Sequence, residues 1–236
     1  MPAAAQPELR SYYETVAPYY ADEMAVRADL PKWRDLVARL GARSVLDLGC
    51  GDGRVARAVA AQSDVVGLDL LTTLLPPDPG FHFVQGDLRD LPFDDRRFEL
   101  AIAANDPFAH LLDDESRARA LDEAQRVASR VIIEGLFLPA TDDARTRATG
   151  CVRETVLPNG ILRQEIWHAS GPHAYRTTYR YIRGDRELAQ AAAEVRAWAD
   201  DEPALRGRWA RLYGGLDGRP RDPNTRVLAI SLGGTL

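Results

Sequence analysis

Residues 45–53 read Val45-Leu46-Asp47-Leu48-Gly49-Cys50-Gly51-Asp52-Gly53, and a helical pattern, Arg54 to Ala61, follows at once. The apolar run from Ser44 to Leu48 is a strand that enters three glycines at alternate positions. Such a turn lets a ligand lie against bare main chain at the carboxyl end of a parallel strand. The spacing is Gly-x-Gly-x-Gly, and a dinucleotide fingerprint requires a glycine where Arg54 stands. No Gly-Lys-Ser/Thr follows, so the turn is not a P-loop. Asp47, two residues before Gly49, would repel a pyrophosphate but attract the ammonium of an amino-acid moiety.

Short apolar runs alternate with helical patterns on the C-terminal side. Residues 64–68 form a second strand, and the prolines at 76, 77 and 79 allow only a very short helix after it. Residues 81–84, 99–104 and 131–137 form three more strands. Asp113 opens a helix with Asp114 and Glu115 in its first turn, where the macrodipole favours negative charge. Ala118, Leu121, Ala124 and Ala128 form its expected inner stripe. This alternation predicts an α/β fold with a mostly parallel, doubly wound, Rossmann-like sheet covered on both faces.

N-terminal to the sheet, residues 8–41 read as a helical cap. Asp29 is its expected N-cap, with Pro31 in the first turn, Trp33, Leu36, Val37 and Leu40 on one face, and Gly41 closing it. Tyr12-Tyr13 and Tyr19-Tyr20 precede that helix. Beyond the sheet, residues 151–157 and 161–168 flank the hairpin turn Pro158-Asn159-Gly160, and 174–182 add a third antiparallel strand. There Tyr175, Thr177, Tyr179 and Tyr181 share one face, suited to an apolar ligand, a helix or a second copy of the chain. Asp185 is expected to cap a helix carrying Leu188, Ala192, Val195 and Ala199, and 226–232 to form a last strand. The whole of 1–236 reads as one domain: cap 1–41, core 43–138, antiparallel extension 151–183, and a C-terminal helix and strand in 184–236.

Hydrophobic residues make up 45% and charged residues 28% of the 236, a globular balance. The formal net charge of −5 argues against nucleic acid or an anionic membrane as partner. No apolar run approaches the roughly 18 residues of a membrane helix, and Met1 to Pro7 lack the basic start and apolar core of a secretory signal. A cytoplasmic location is expected. Cys50 and Cys151 are expected as reduced thiols, and no Cys/His spacing suggests a metal. The histidines at 82, 110, 168 and 173 are scattered.

With the glycine motif, three further stretches carry a resemblance: Tyr12-Tyr13-Glu14-Thr15-Val16-Ala17-Pro18-Tyr19-Tyr20, Gly86-Asp87-Leu88-Arg89-Asp90-Leu91-Pro92, and Ala109-His110-Leu111-Leu112. Over residues 10–138 the chain resembles the class I S-adenosylmethionine (SAM) dependent methyltransferases of small-molecule type. The resemblance implies SAM as cofactor and S-adenosylhomocysteine as product. It implies Gly49, Cys50, Gly51 and Gly53 beside the methionine and ribose, with Asp47 also counted among the cofactor-binding residues. Asp69, 20 residues after Gly49, and its neighbour Leu70 fall at the ribose, and Asp87 and Leu88 at the adenine. Asn105 falls beside the sulfonium, with Tyr12 and Tyr20 closing over the methionine end. His110 is the candidate base for an amine or hydroxyl nucleophile.

The chain departs from the pattern at Ser129-Arg130, where a Pro-Gly-Gly turn is usual, and at the truncated second helix. Asn105-Asp106-Pro107-Phe108 is similar to an Asn-Pro-Pro-Phe/Tyr motif that holds planar amines, with Asp106 at the first proline's place. The expected function is methyl transfer to a nitrogen or oxygen of a small molecule, without metal. The alternatives are a SAM-binding protein of this fold that does not methylate, and, behind it, a nicotinamide oxidoreductase. A homodimer formed by pairing hairpin edges across a two-fold axis is left open.

Overall fold

The structure is a computed structural model that describes residues 7–138, 140–199, 202–220 and 227–236. Met1–Gln6, on which the absence of a secretory signal was read, lie outside the described residues, as does Arg226 at the expected start of the last strand. Five parallel strands form the centre of one sheet: β1 (Ser44–Leu48), β2 (Asp64–Asp69), β3 (His82–Gln85), β4 (Leu100–Ala103) and β5 (Val131–Leu136). With antiparallel β10 (Ala210–Tyr213) and β11 (Val227–Leu232) the order is β10-β11-β5-β4-β1-β2-β3. The strand order reverses between β1 and β4, and the crevice above that point is where open α/β sheets bind ligands.

Side-chain alternation divides the core into two layers. On β4, Leu100 and Ile102 face α2 (Leu30–Leu40) and α3 (Arg54–Val59), where Trp33, Leu36, Val37, Val55 and Val59 are buried. Ala101 and Ala103 face α4 (Asp114–Val127). The buried stripe of α4 is Arg117, Ala120, Leu121, Ala124 and Val127, one position round from the alanines expected. Asp113 caps α4 by accepting a hydrogen bond from the Ser116 N–H at 2.7 Å. Asp29 does not cap α2 with its side chain, because Arg54 and Arg27 hold that carboxylate instead. Between β2 and β3 the proline-rich stretch forms turns and no helix at all.

A second sheet roofs the carboxyl edge of the first. It is a four-stranded antiparallel meander of β6 (Cys151–Val156), β7 (Leu162–Gly171), β8 (Ala174–Arg183) and β9 (Arg186–Arg196). The helix expected after Asp185 is therefore a strand. Gly184, at φ +59°, and Asp185 make a two-residue hairpin between Arg183 and Arg186. Ala191, Ala193 and Val195 then alternate inward, and their pairing with β8 outweighs the helix propensity of an alanine-rich run.

The cap consists of α1 (Pro7–Ala25) and α2, separated by a turn in which Ala28 has φ +51°. Helix α1 packs on the roof sheet. Tyr19 stacks on Tyr181 with centroids 3.9 Å apart, and the Tyr181 hydroxyl donates to Glu23 Oε1 at 2.6 Å. Tyr179 and Tyr181 on that face of β8 are thus met by the chain's own helix, whereas Tyr175 packs against Trp167. Tyr181→Phe is expected to destabilise the protein by about 1–3 kcal/mol, since Glu23 is buried and would keep only Arg163, 3.7 Å away. The midpoint of urea unfolding measures this, and an unchanged midpoint would contradict it. Among the described residues no helix is long and apolar enough to cross a membrane.

Candidate active site

The glycine turn leaves β1 with its main chain laid open. Gly49 has φ +67°, and a Cβ there would meet Pro107 at 2.3 Å. Gly51 has φ +57°, and its Cβ would lie 3.3 Å from the Tyr20 hydroxyl. The N–H groups of Gly49 and Cys50 both donate to the Leu68 carbonyl, at 2.7 and 3.0 Å, which ties the turn to the end of β2. Asp69 ends that strand. Its Oδ2 accepts from the Gly51 N–H at 2.8 Å and its Oδ1 from the Leu71 N–H at 2.9 Å. Burial raises the Asp69 carboxyl, and these two N–H groups oppose the rise.

Above these residues lies a cavity with an empty volume of about 1030 Å³, mouth included. Gly49, Gly51, Asp69, Leu70, Asp87, Leu88, Asn105, His110 and Tyr20 line it, so the strand ends converge as the sequence implied. Tyr13, one of the N-terminal tyrosines, joins them, as do Leu71, Leu74, Arg89, Pro107 and Leu111, which were not anticipated. Four of the expected residues are absent from its wall. Asp47 lies beneath the turn, 1% exposed, with its carboxyl pushed up to about 7 by burial and Oδ2 unpartnered, so it presents no side chain to an ammonium. The Cys50 sulfur turns toward Gly67, and the space over Gly53 is filled by Phe81. Tyr12 faces Tyr179 and a second cavity.

Asp87 is half committed already. Arg89 donates from its main chain, Nε and Nη2 at 2.9, 3.0 and 2.7 Å. Against the pull of burial, Arg89 holds this carboxyl below its usual range. Removing it in Asp87→Ala is expected to weaken S-adenosylhomocysteine by about tenfold, because one further charged hydrogen bond is at stake. Calorimetry with S-adenosylhomocysteine and with methionine checks this. A loss of turnover at unchanged cofactor affinity would move Asp87 to the acceptor side.

The second cavity, with an empty volume of about 1190 Å³, lies between the first and the roof sheet. The two share a wall of Tyr13, Tyr20, Asn105 and His110. Asn105 and Asp106 both have left-handed backbone, φ +58° and +48°. Side chains hold this unfavourable turn in place. Asp106 is buried and accepts from the Leu136 N–H at 2.6 Å and the Trp198 indole at 3.1 Å. Burial raises its carboxyl to about 6, with nearby Arg117 opposing. Arg27, in the turn between α1 and α2, donates to Asn105 Oδ1 at 2.8 Å and Glu134 Oε2 at 2.7 Å. It also reaches Asp29, which binds Arg54 at the head of α3. Burial alone would raise Asp29, but Arg54 and then Arg27 hold it low. The cap, the glycine turn and the ends of β4 and β5 are joined by this one chain of ion pairs.

His110 ends a 3₁₀ turn (Pro107–His110) after β4. Its Nε2 lies 3.1 Å from the Tyr13 hydroxyl. A main-chain hydrogen bond to Glu194 on β9 favours a proton on the ring, and with that proton on Nδ1 the Nε2 would accept from Tyr13. Burial lowers the ring's pKa to about 4, so the imidazole is neutral at physiological pH. Among the described residues no group of three or more His, Cys, Asp or Glu is placed to hold a metal ion.

A parallel sheet reversing at β1/β4 carries a glycine turn against a buried acidic strand end, with a cavity above them. Residues 45–130 match the family described as a methyltransferase domain, and the fold is that of SAM-dependent methyltransferases of known structure. The chain is 31% identical over 115 residues to the 2-phytyl-1,4-naphtoquinone methyltransferase of Nostoc punctiforme, covering 40% of this chain and 50% of that one. It is 34% identical over 159 residues to the demethylmenaquinone methyltransferase of Thermotoga maritima, covering 61% and 66%. The chain thus spans about half the length of the first of these relatives. A SAM-bound amino pentose methyltransferase of Micromonospora echinaspora superposes with a TM-score of 0.65 over 99% of this chain and 100% of that one, at 18% identity, a likeness of fold.

Proposed function

We propose that the chain is a SAM-dependent methyltransferase that modifies a nitrogen or oxygen of a small molecule and releases S-adenosylhomocysteine. The observation that carries this is the pair of cavities meeting at Tyr13, Tyr20, Asn105 and His110. One has the lining a nucleoside and an amino acid need, and the other is open to an acceptor. The residues present fit SAM. The Gly49 and Gly51 main chain is a cradle that a Cβ would fill. Asp69 Oδ2 accepts from the Gly51 N–H and Oδ1 from the Leu71 N–H, and the carboxylate keeps acceptor capacity for the ribose hydroxyls. Leu70, Leu88 and Leu111 offer apolar walls to a base, and Asp87 an acceptor to its amino group.

When bound, SAM supplies an electrophilic methyl on a sulfonium. The chain's own part is to align the nucleophile and exclude water, and alignment alone is worth roughly 7–11 kcal/mol. Tyr13 and His110 hold the proton. The neutral Nε2 accepts from the Tyr13 hydroxyl, and the phenol oxygen in turn faces the shared wall. A nucleophile at that wall loses its proton to this pair. The relatives named for quinones and the neighbour named for an amino pentose support a small-molecule acceptor. The acidic charge of −5 weighs against nucleic acid, and the two unpaired thiols, Cys50 and Cys151, suit a reducing compartment. Strand β6, an edge with Val152 and Val156 exposed, is where a second copy would pair.

The test is transfer of tritium from methyl-labelled SAM to a panel of small amines, phenols, hydroquinones and sugars. Acceptor-dependent label in a product is expected. Label that stays on the cofactor across the panel, with S-adenosylhomocysteine still binding, would favour a non-methylating role.

A further inference from the structure

This inference rests on the proposed methyl-transfer reading and concerns the class of acceptor. Four carboxylates and three guanidiniums face the second cavity, and one of the acids, Asp106, accepts from the Leu136 N–H at 2.6 Å and the Trp198 indole at 3.1 Å. Glu134 accepts from Arg27 at 2.7 Å and from the Asn105 N–H at 2.8 Å. Glu165 accepts from Arg163 Nη2 with one oxygen and from the Trp167 indole, at 3.2 Å, with the other. Glu23 accepts from the Tyr181 hydroxyl at 2.6 Å and lies 3.7 Å from Arg163. Every one of the four acids is thus taken by donors of the protein, and two of the three cations, Arg27 and Arg163, are spent on Glu134, Glu165 and Glu23.

Arg153 is different. It lies on the inward-facing side of β6, whose residues alternate half-buried and exposed. Across the β6–β7 ladder its direct partner is Glu165, the residue expected to neutralise it. Arg163 and Trp167 have drawn that carboxylate away. The Arg153 guanidinium sits instead over the Trp167 ring, 5.5 Å from its centroid. Among the described residues it has no hydrogen-bond or ion-pair partner. Stacking on an aromatic face orients a guanidinium while leaving its N–H edge free.

We propose that Arg153 is the anchor for an oxyanion, a carboxylate or phosphate group, carried by the methyl acceptor at the end of the cavity formed by the roof sheet. The acceptor spans from that anchor to the shared wall at His110. A cationic group in the acceptor would find no unpaired carboxylate here among the described residues and would face an uncompensated guanidinium.

Full-length wild type, Arg153→Gln and Arg153→Lys are titrated calorimetrically at fixed ionic strength, with and without saturating S-adenosylhomocysteine. The probes are phenyl phosphate, benzoate, neutral benzamide and cationic benzamidine, whose shared ring suits the tyrosine-rich wall. Wild type is expected to bind the anions about tenfold tighter than benzamide, one charged hydrogen-bonded contact. Arg153→Gln removes that preference, Arg153→Lys keeps part of it, and all three proteins bind S-adenosylhomocysteine alike. Phenyl phosphate ahead of benzoate assigns a phosphate, and the reverse order a carboxylate. No binding of either anion, equal binding of benzamide or benzamidine by wild type, or an anion preference that survives in Arg153→Gln overturns the proposal. The probe titrations without S-adenosylhomocysteine decide it even if that compound fails to bind, a failure that would count against methyl transfer alone.

Discussion

Asp69→Ala is expected to weaken S-adenosylhomocysteine binding by about 10- to 100-fold. Two charged hydrogen bonds to ribose hydroxyls are lost, each worth roughly 1.5–3 kcal/mol before water and relaxation recover part of it. The same carboxylate holds the Gly51 and Leu71 N–H groups, so its loss also loosens the cradle that faces the ligand. Asp69→Asn keeps one oxygen acceptor and should lose only severalfold. Adenosine should weaken in parallel, while methionine, which has no ribose, should not. Calorimetry reads all three ligands, and full affinity in Asp69→Ala would place the ribose elsewhere.

His110→Ala should lower turnover by about 10²–10⁴-fold, the range for loss of a general base, with S-adenosylhomocysteine affinity intact. The pH dependence is the sharper readout. Because burial brings the imidazole down to about 4, from 6.5 when exposed, the wild-type rate should stay level from pH 8 to about 5. It should then fall as Nε2 is protonated. His110→Gln should lack that acid limb while keeping a polar partner for Tyr13. Stability follows the same linkage. The folded pKa is depressed, so the unfolded chain takes up the proton first. Stability from neutral His110 is complete above about pH 6.5 and is lost as pH falls toward 4. His110→Gln should lose less stability across that window. Unchanged turnover and pH profile in both variants would reduce His110 to an anchor of the loop.

The strand ends were legible because their signals are local. Glycines at alternate positions after Val45–Leu48, and aspartates closing the next two strands, carry their geometry in the order of residues alone. What escaped depends on neighbours remote in sequence. Tyr12 and Tyr13 are adjacent on α1, and only the docking of Val16 and Tyr19 on the roof sheet sets the helix phase that turns Tyr13 to His110 and Tyr12 to Tyr179. Asp47 has the right place in the motif, but the pleat buries its side chain below the turn. Arg27 lies in a turn with no pattern of its own, and its role appears only when Asn105 and Glu134 arrive beside it. Strand β9, expected as a helix, had its signal in Gly184-Asp185, a hairpin dipeptide whose aspartate also suits a helix cap. The i, i+4, i+7 spacing from Leu188 then favoured the helix, because alanine at 189, 191, 192 and 193 marks neither period.

The central claim is that the cavity above Gly49, Gly51 and Asp69 is a SAM site. Titration of the full-length protein with SAM, S-adenosylhomocysteine and NAD in one calorimetric series tests it most directly. One equivalent each of SAM and S-adenosylhomocysteine should bind, each competing with the other, and NAD should not displace them. Binding of NAD in preference to both, or of none of the three, would contradict it.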